Sequence, residues 1–429
     1  MRIIQIIPGT GGSFYCENCV RDSALVKGLR ALGHEVTMIP LYLPLSIDDP
    51  DLAKGSPLFF GAVNLYLKQM IVPLRKMPLW FQHFLDSPAV LDFAAKRAGS
   101  TRAEGLEEMT LSMLRGEEGN QAEELDHLIQ WLKIEGRPDV VHLANALLLG
   151  LARRIKRELR IPVVCSLQDE DDWLDAMRPE YMEQVEQTLA DRAQDVDAFV
   201  PVSHYFLGKM KPFLKVPDER YTVVPIGLDL SGYEAAPLDF NPPVIGFLSR
   251  LSPALGLDIL IDAFILLKKE KRHSHIKLHL TGGMTGDDKF FVQGIKKRLH
   301  AEGFLRDVTF FEHFSRQDRI DFFNRISVLT VPIHEGEAFG TFQIESLAAG
   351  VPVVQPNIGA FPEFIRSAGG GILYEQNDAE HLAQALSDFL DQPEKARELG
   401  ARGRKTVLKE YCLDCMARNM AELYRRILS

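Results

Sequence analysis

The sequence predicts an α/β protein of two tandem domains, each built on a parallel sheet with helices on both faces. Three observations carry that expectation. The 429 residues suffice for two or three domains at roughly 100–200 residues each. Short apolar runs alternate with helix-spaced stretches along most of the chain, the pattern of repeated βαβ units. A passage rich in turn residues, 229–243, with Gly232, Pro237 and the Pro242-Pro243 pair, separates two such series.

The first series opens with the apolar residues 3–7, read as a strand. A glycine-rich loop follows at 8–14, then a helix over 18–32 in which Leu25, Leu29 and Leu32 recur at helical spacing. Gly33 stops that helix, and residues 35–40 form the next strand. Residues 48–135 interrupt the rhythm. They are rich in Leu, Met and aromatics, broken at Pro73, Pro78, Pro88 and Gly99, and read as a helical insertion. Strands resume at 140–142, 162–167, 198–203 and 221–225. After the linker they are expected at 244–249, 277–281, 308–312, 328–332 and 352–355, with amphipathic helices from Ala379 onward. The expected divisions are 1–228, 229–408 and a C-terminal helix at 409–429. Two such domains facing across a cleft bind ligands at the carboxyl ends of their strands.

Composition narrows the function. The chain is 46% hydrophobic and 25% charged, ordinary for a globular protein. A net charge of -10 and a pI near 5.7 argue against nucleic-acid binding, which needs a clustered basic footprint. The run 3–7 is too short for an export signal, and no stretch approaches the ~20 apolar residues of a membrane span. A cytoplasmic location is expected, where thiols stay reduced. Cys16, Cys19, Cys412 and Cys415 form two C-x-x-C pairs, which could make a four-sulfur zinc site if the chain ends met. No Gly or Pro knuckle surrounds either pair. They read as two unrelated pairs of small apolar residues, and no metal or cofactor is expected.

Three motifs carry chemistry. Gly9-Thr10-Gly11-Gly12 follows the first strand, and Gly11 and Gly12 let backbone approach a phosphate or sugar closely. It is not a dinucleotide fingerprint, because Phe14 stands at the third glycine position and no acid ends the second strand. Arg250, leaving a strand just before a helix, is placed to grip a diphosphate bidentately, or else to pair with a surface carboxylate. The third motif runs from Glu335 to Glu345. Thr341 is expected to cap a helix there, with Glu337 in the loop before it and Glu345 one turn inside. Backbone amides near Gly340 and Thr341 would face an anion, and the two carboxylates would accept from sugar and ribose hydroxyls. Two solvated glutamates around an ordinary helix start would give the same spacing.

Together these features resemble the retaining nucleotide-sugar glycosyltransferases of the GT-B fold, family 4. The likeness is strongest over 223–229, 245–264 and 337–363, including Gly359-Ala360-Phe361-Pro362-Glu363. The resemblance implies two Rossmann-like domains, donor contacts mainly in the second, acceptor contacts mainly in the first, and a C-terminal helix that crosses back. It implies that Gly11, Gly12, Arg250, Glu337, Ala338, Phe339, Gly340, Thr341 and Glu345 bind the donor, with Glu337, Arg250 and His142 nearest the reaction. Three positions depart from the family: Leu255 replaces a diphosphate-binding Lys, Ser249 a Gly, and Ala144 the second His of His-x-His, leaving His142 alone. Those losses keep open a second reading, a non-catalytic sugar-nucleotide or glycan-binding protein on the same fold. The acceptor would be a sugar, a lipid-linked glycan or a small molecule. Basic and aromatic residues at 61–102 would either pack on the first domain and shape the acceptor pocket or lie on a membrane surface. The acidic run from Asp169 to Asp172 follows a strand and reads as a solvated loop, or else borders the cleft and reads acceptor hydroxyls or holds a cation.

Overall fold

The computed structural model describes residues 1–9, 13–42 and 105–429. The chain divides into two compact units. The first comprises Met1–Gly12, Asn18–Pro225 and Met416–Ser429, the second Ser13–Glu17 and Ile226–Cys415. Gly11, Gly12, residues 61–102 and the first part of the 48–135 insertion lie outside the described residues.

Five parallel strands form the sheet of the first unit: β1 (Arg2–Ile7), β2 (Glu35–Pro40), β3 (Val140–Leu143), β4 (Val163–Leu167) and β5 (Ala198–Pro201), in the order β2-β1-β3-β4-β5. Every residue of β3, β4 and β5 is buried, as strands covered on both faces require. The crossover α1 (Glu17–Ala31) starts on the last residue that the second unit takes from the N-terminal region. α2 (Glu107–Arg115) and α3 (Ala122–Trp131) precede β3, so the described part of the insertion is helical. α4 (Ala152–Leu159), α5 (Glu170–Asp175), α6 (Pro179–Ala193) and α7 (His204–Leu214) complete the layers.

Two expectations fail here. Residues 221–225 form no strand: Thr222 and Val224 donate to β5 carbonyls at 3.0 and 3.1 Å, but only one bridge, Phe199 to Tyr221, results. The acidic run is not a solvated loop. Glu170 is 1% exposed and its carboxylate accepts from the backbone N–H of Ala146 at 2.6 Å and of Gln168 at 2.9 Å.

The second unit has six parallel strands: β6 (Val244–Leu248), β7 (Lys277–Thr281), β8 (Val308–Phe310), β9 (Val328–Leu329), β10 (Val353–Pro356) and β11 (Gly371–Tyr374). Their order is β11-β10-β9-β6-β7-β8. Its helices are α8 (Leu257–Lys269), α9 (Asp288–Ala301), α10 (Arg316–Phe323), α11 (Thr341–Ala348), α12 (Phe361–Ala368), α13 (Ala379–Leu390) and α14 (Pro393–Glu410). The short β11, behind Gly369 and Gly370, was not expected from the sequence. The last helix, α15 (Leu413–Leu428), belongs to the first unit from Met416 onward. Among the described residues no helix is long and apolar enough to cross a membrane.

Candidate functional site

Strand order places the motifs of the second unit. From β6 the chain moves through β7 to β8 at one edge, then returns to β9 on the other side of β6. Loops leaving β6 and β9 therefore diverge at a topological switch point, where open α/β sheets bind ligands. Arg250 lies in the loop after β6, and the stretch from Glu335 to Gly340 follows β9.

Close packing fixes these loops to one another. Gly256 has a φ of +73°, and a Cβ there would lie 1.7 Å from the Pro332 carbonyl oxygen. His334 places Nε2 at 3.0 Å from both carboxylate oxygens of Asp258. The Leu251 N–H donates to the Gly283 carbonyl at 2.8 Å, which adds the loop after β7. The Ala360 N–H donates to the Glu337 carbonyl at 2.9 Å, which ties in the stretch after β10. Glu337 itself is half-buried, and its carboxylate accepts from the Ala338 N–H at 3.0 Å. Ala338 and Phe339 are buried, with Phe339 packed against Phe364 at 5.5 Å between ring centroids.

Arg250 holds its guanidinium 5.5 Å from the Phe14 ring centroid, and its Nε lies 3.7 Å from Asp288. That buried Nε makes no hydrogen bond among the described residues. Leu255 sits half-buried in the turn that follows and brings no charge.

The start of α11 differs from expectation. Gly340, at φ +82°, is the N-cap, and Thr341 is the first helical residue. The Thr341 hydroxyl is used elsewhere: it donates to the Glu17 carboxylate at 2.7 Å and meets the Tyr15 hydroxyl at 2.8 Å. The Thr341 N–H donates to the same Glu17 oxygen. One turn on, Glu345 is 2% exposed. It accepts from Tyr15 Oη at 2.6 Å, from Arg319 Nε at 2.9 Å and from the Tyr233 hydroxyl. Burial first, and then the Glu345 charge, push both tyrosine hydroxyls well above their ordinary pKa, so they stay protonated and act as hydrogen-bond donors.

Tyr15, Glu17, Tyr233 and Arg319 were not anticipated. Only Arg319 leaves a trace in the sequence, a charge three and four residues before Phe322 and Phe323, on the buried side of α10.

His142 stands apart from this group. It is fully buried in the first unit, with Nδ1 on the Tyr424 hydroxyl and Nε2 at 2.8 Å from Ser166 Oγ. Arg21 donates to the same Ser166 oxygen at 2.7 Å. Burial, reinforced by the Arg21 charge, holds the imidazole well below its ordinary pKa. With both ring nitrogens engaged, His142 ties β3 to α15. Cys412 and Cys415 bring their sulfurs within 3.0 Å, and no group of three or more metal-ligating side chains occurs among the described residues.

Two family models match successive parts of the chain. The glycosyl transferase 4-like domain covers residues 20–227, and glycosyl transferases group 1 covers residues 234–406. The chain belongs to the group 1 glycosyltransferases. The D-inositol 3-phosphate glycosyltransferase of Streptomyces griseus is 32% identical over 186 residues, which is 43% of this chain and 39% of that protein. The match thus spans about two fifths of that relative. Glycogen synthase of Mycobacterium tuberculosis is 24% identical over 67% of this chain and 69% of its own. Sucrose-phosphate synthase of Thermosynechococcus elongatus superposes with a TM-score of 0.71 at 17% identity, covering 100% of this chain and 99% of that one. HepE of Anabaena, solved with UDP, gives 0.68 at 16% identity, covering 99% and 100%. The fold is GT-B: two Rossmann-like α/β units, each with its own parallel sheet.

Proposed function

We propose that this chain moves a sugar from a nucleotide-diphosphate donor to an acceptor hydroxyl with retention of configuration, the second unit binding the donor and the first the acceptor. The observation that carries this reading is the convergence of Arg250, the Glu337 loop and the amino end of α11 at one switch point. The UDP and UDP-glucose complexes of HepE, alike in fold, support a nucleotide sugar as donor.

The chemistry follows from these groups. As the bond between sugar and diphosphate breaks, the sugar gains oxocarbenium character and negative charge builds on the leaving oxygen. Arg250 and the amides of Gly340 and Thr341 stabilise that charge. Glu337 orients the sugar hydroxyls, and Glu345 serves the ribose. The acceptor oxygen attacks from the face the diphosphate leaves, and its proton passes to a diphosphate oxygen, so no covalent sugar–protein intermediate forms. Ala338 and Phe339 hold the Glu337 loop in place. The acceptor is a glycan, a lipid-linked sugar or a small molecule.

Proton NMR of the chain incubated with UDP-, GDP- and ADP-sugars and a panel of sugar acceptors tests this. The product should keep the donor's anomeric configuration, and Glu337→Gln should slow transfer about a hundredfold or more. Inverted product, or a trapped glycosyl-protein, would contradict the mechanism. Leu255 favours one other reading, a binding protein without catalysis. Donor binding with no turnover in any pairing would support it.

A further inference from the structure

The places at which a donor would be held are already filled by the chain itself. Glu17 sets an anionic oxygen on the Thr341 N–H and hydroxyl at the start of α11. Tyr15 sets a hydroxyl on the Glu345 carboxylate and on Thr341 Oγ1. Two residues apart on one segment, these groups reproduce the polar pattern of a ribose phosphate: a hydroxyl donor on a carboxylate and a charged oxygen on a helix amino end.

The segment is held in a built cradle. The Tyr15 N–H donates to the Gly282 carbonyl at 2.8 Å, and Phe14 forms an antiparallel bridge with Gly283. A Cβ at Gly283 would fall 2.6 Å from the Ser13 carbonyl oxygen, so only glycine lets the segment approach. Arg250 covers the Phe14 ring at 5.5 Å, and Arg319 covers the Tyr15 ring at 5.2 Å.

Acceptor capacity makes the occupancy exclusive. An ionised carboxylate offers about four lone-pair sites. Tyr15, Tyr233 and Arg319 take three on Glu345, and a ribose diol brings two donors. One existing bond must break, and Tyr15, on the segment that Glu17 also anchors, is the one a ligand can exchange.

We propose that Tyr15 and Glu17 are specificity residues of this site: they hold the positions of a ribose hydroxyl and a phosphate oxygen and yield both only to a ligand carrying adjacent hydroxyls and a diphosphate. A nucleoside displaces Tyr15 but leaves Glu17 on the helix end. A nucleoside diphosphate replaces both. The inference rests on the donor site proposed above.

Titration calorimetry on the full chain decides it, with UDP, GDP, ADP and the matching nucleosides as probes. Glu17→Gln should tighten the preferred diphosphate about tenfold and leave its nucleoside unchanged, since one competing charge is removed. Tyr15→Phe should tighten both severalfold. Glu17→Ser serves as a second charge-removing variant should the glutamine protein fold poorly. A diphosphate bound by wild type but bound equally or more weakly by both Glu17 variants would overturn this proposal and spare the donor site. No diphosphate bound by wild type or any variant would overturn both.

Discussion

At the scale of single residues, Arg319 and Glu345 decide the local energetics. Both are almost fully buried, and each neutralises the other at 2.9 Å. Removing one partner strands a buried charge, which costs about 3–5 kcal/mol. Arg319→Leu is therefore expected to lower stability by that amount in urea unfolding, and Arg319→Leu combined with Glu345→Gln to recover most of it. A single variant as stable as wild type would show the pair to be idle. Glu170 makes a separate prediction. Burial, with the neighbouring Asp169 charge, pushes its carboxyl up to about 8. Because the folded pKa is raised, the folded state holds the proton more tightly than the unfolded chain. Its stabilisation is full below the ordinary carboxylate range, near pH 4, and is lost as pH rises toward 8. The slope from one such group is at most about 1.4 kcal/mol per pH unit. Glu170→Gln should flatten the pH dependence of unfolding between pH 5 and 8, and an unchanged slope would refute the assignment.

At the scale of elements, the loops around β6 and β9 matter more than the strands they leave. Gly256 lets α8 begin directly beneath the Pro332 carbonyl. Gly256→Ala adds strain at positive φ and a backbone clash, so a loss of at least about 2 kcal/mol and weaker nucleotide binding are expected together, read by melting and by calorimetry. Wild-type stability and affinity in that variant would mean that the two loops are not coupled. Elements with strong periodicity were legible in the sequence: β1, α1, β2 and β7 fall where the apolar pattern places them. β11 was not, because four residues behind two glycines carry too little pattern. Residues 221–225 looked like a strand by composition, yet composition does not set how far pairing with the neighbouring β5 runs. The motif positions Arg250, Glu337 and Glu345 stood out because glycines and a helix start frame them. Tyr15, Glu17, Tyr233 and Arg319 did not, since their partners lie far away in sequence and no local spacing announces such contacts. His142 was singled out from its place near the end of a strand, and the sequence did not announce its partners Tyr424 and Ser166, which come from distant positions.

At the scale of the molecule, two α/β units arise from one repeated pattern, and the turn-rich passage at 229–243 is the sequence feature that suggests a division. What the linker alone could not show is that Ser13–Glu17 joins the second unit and Met416–Ser429 the first. The central claim is that the switch point of the second unit binds a nucleoside diphosphate through Arg250. The most direct measurement is the melting temperature of wild type and Arg250→Ala against UDP, GDP and ADP, since a ligand at a hundred times its Kd stabilises by about 2.7 kcal/mol. A domain of this size should then melt several degrees higher with one of the three, and Arg250→Ala should lose most of that shift. An equal shift in Arg250→Ala, or no shift with any nucleotide, would contradict the account.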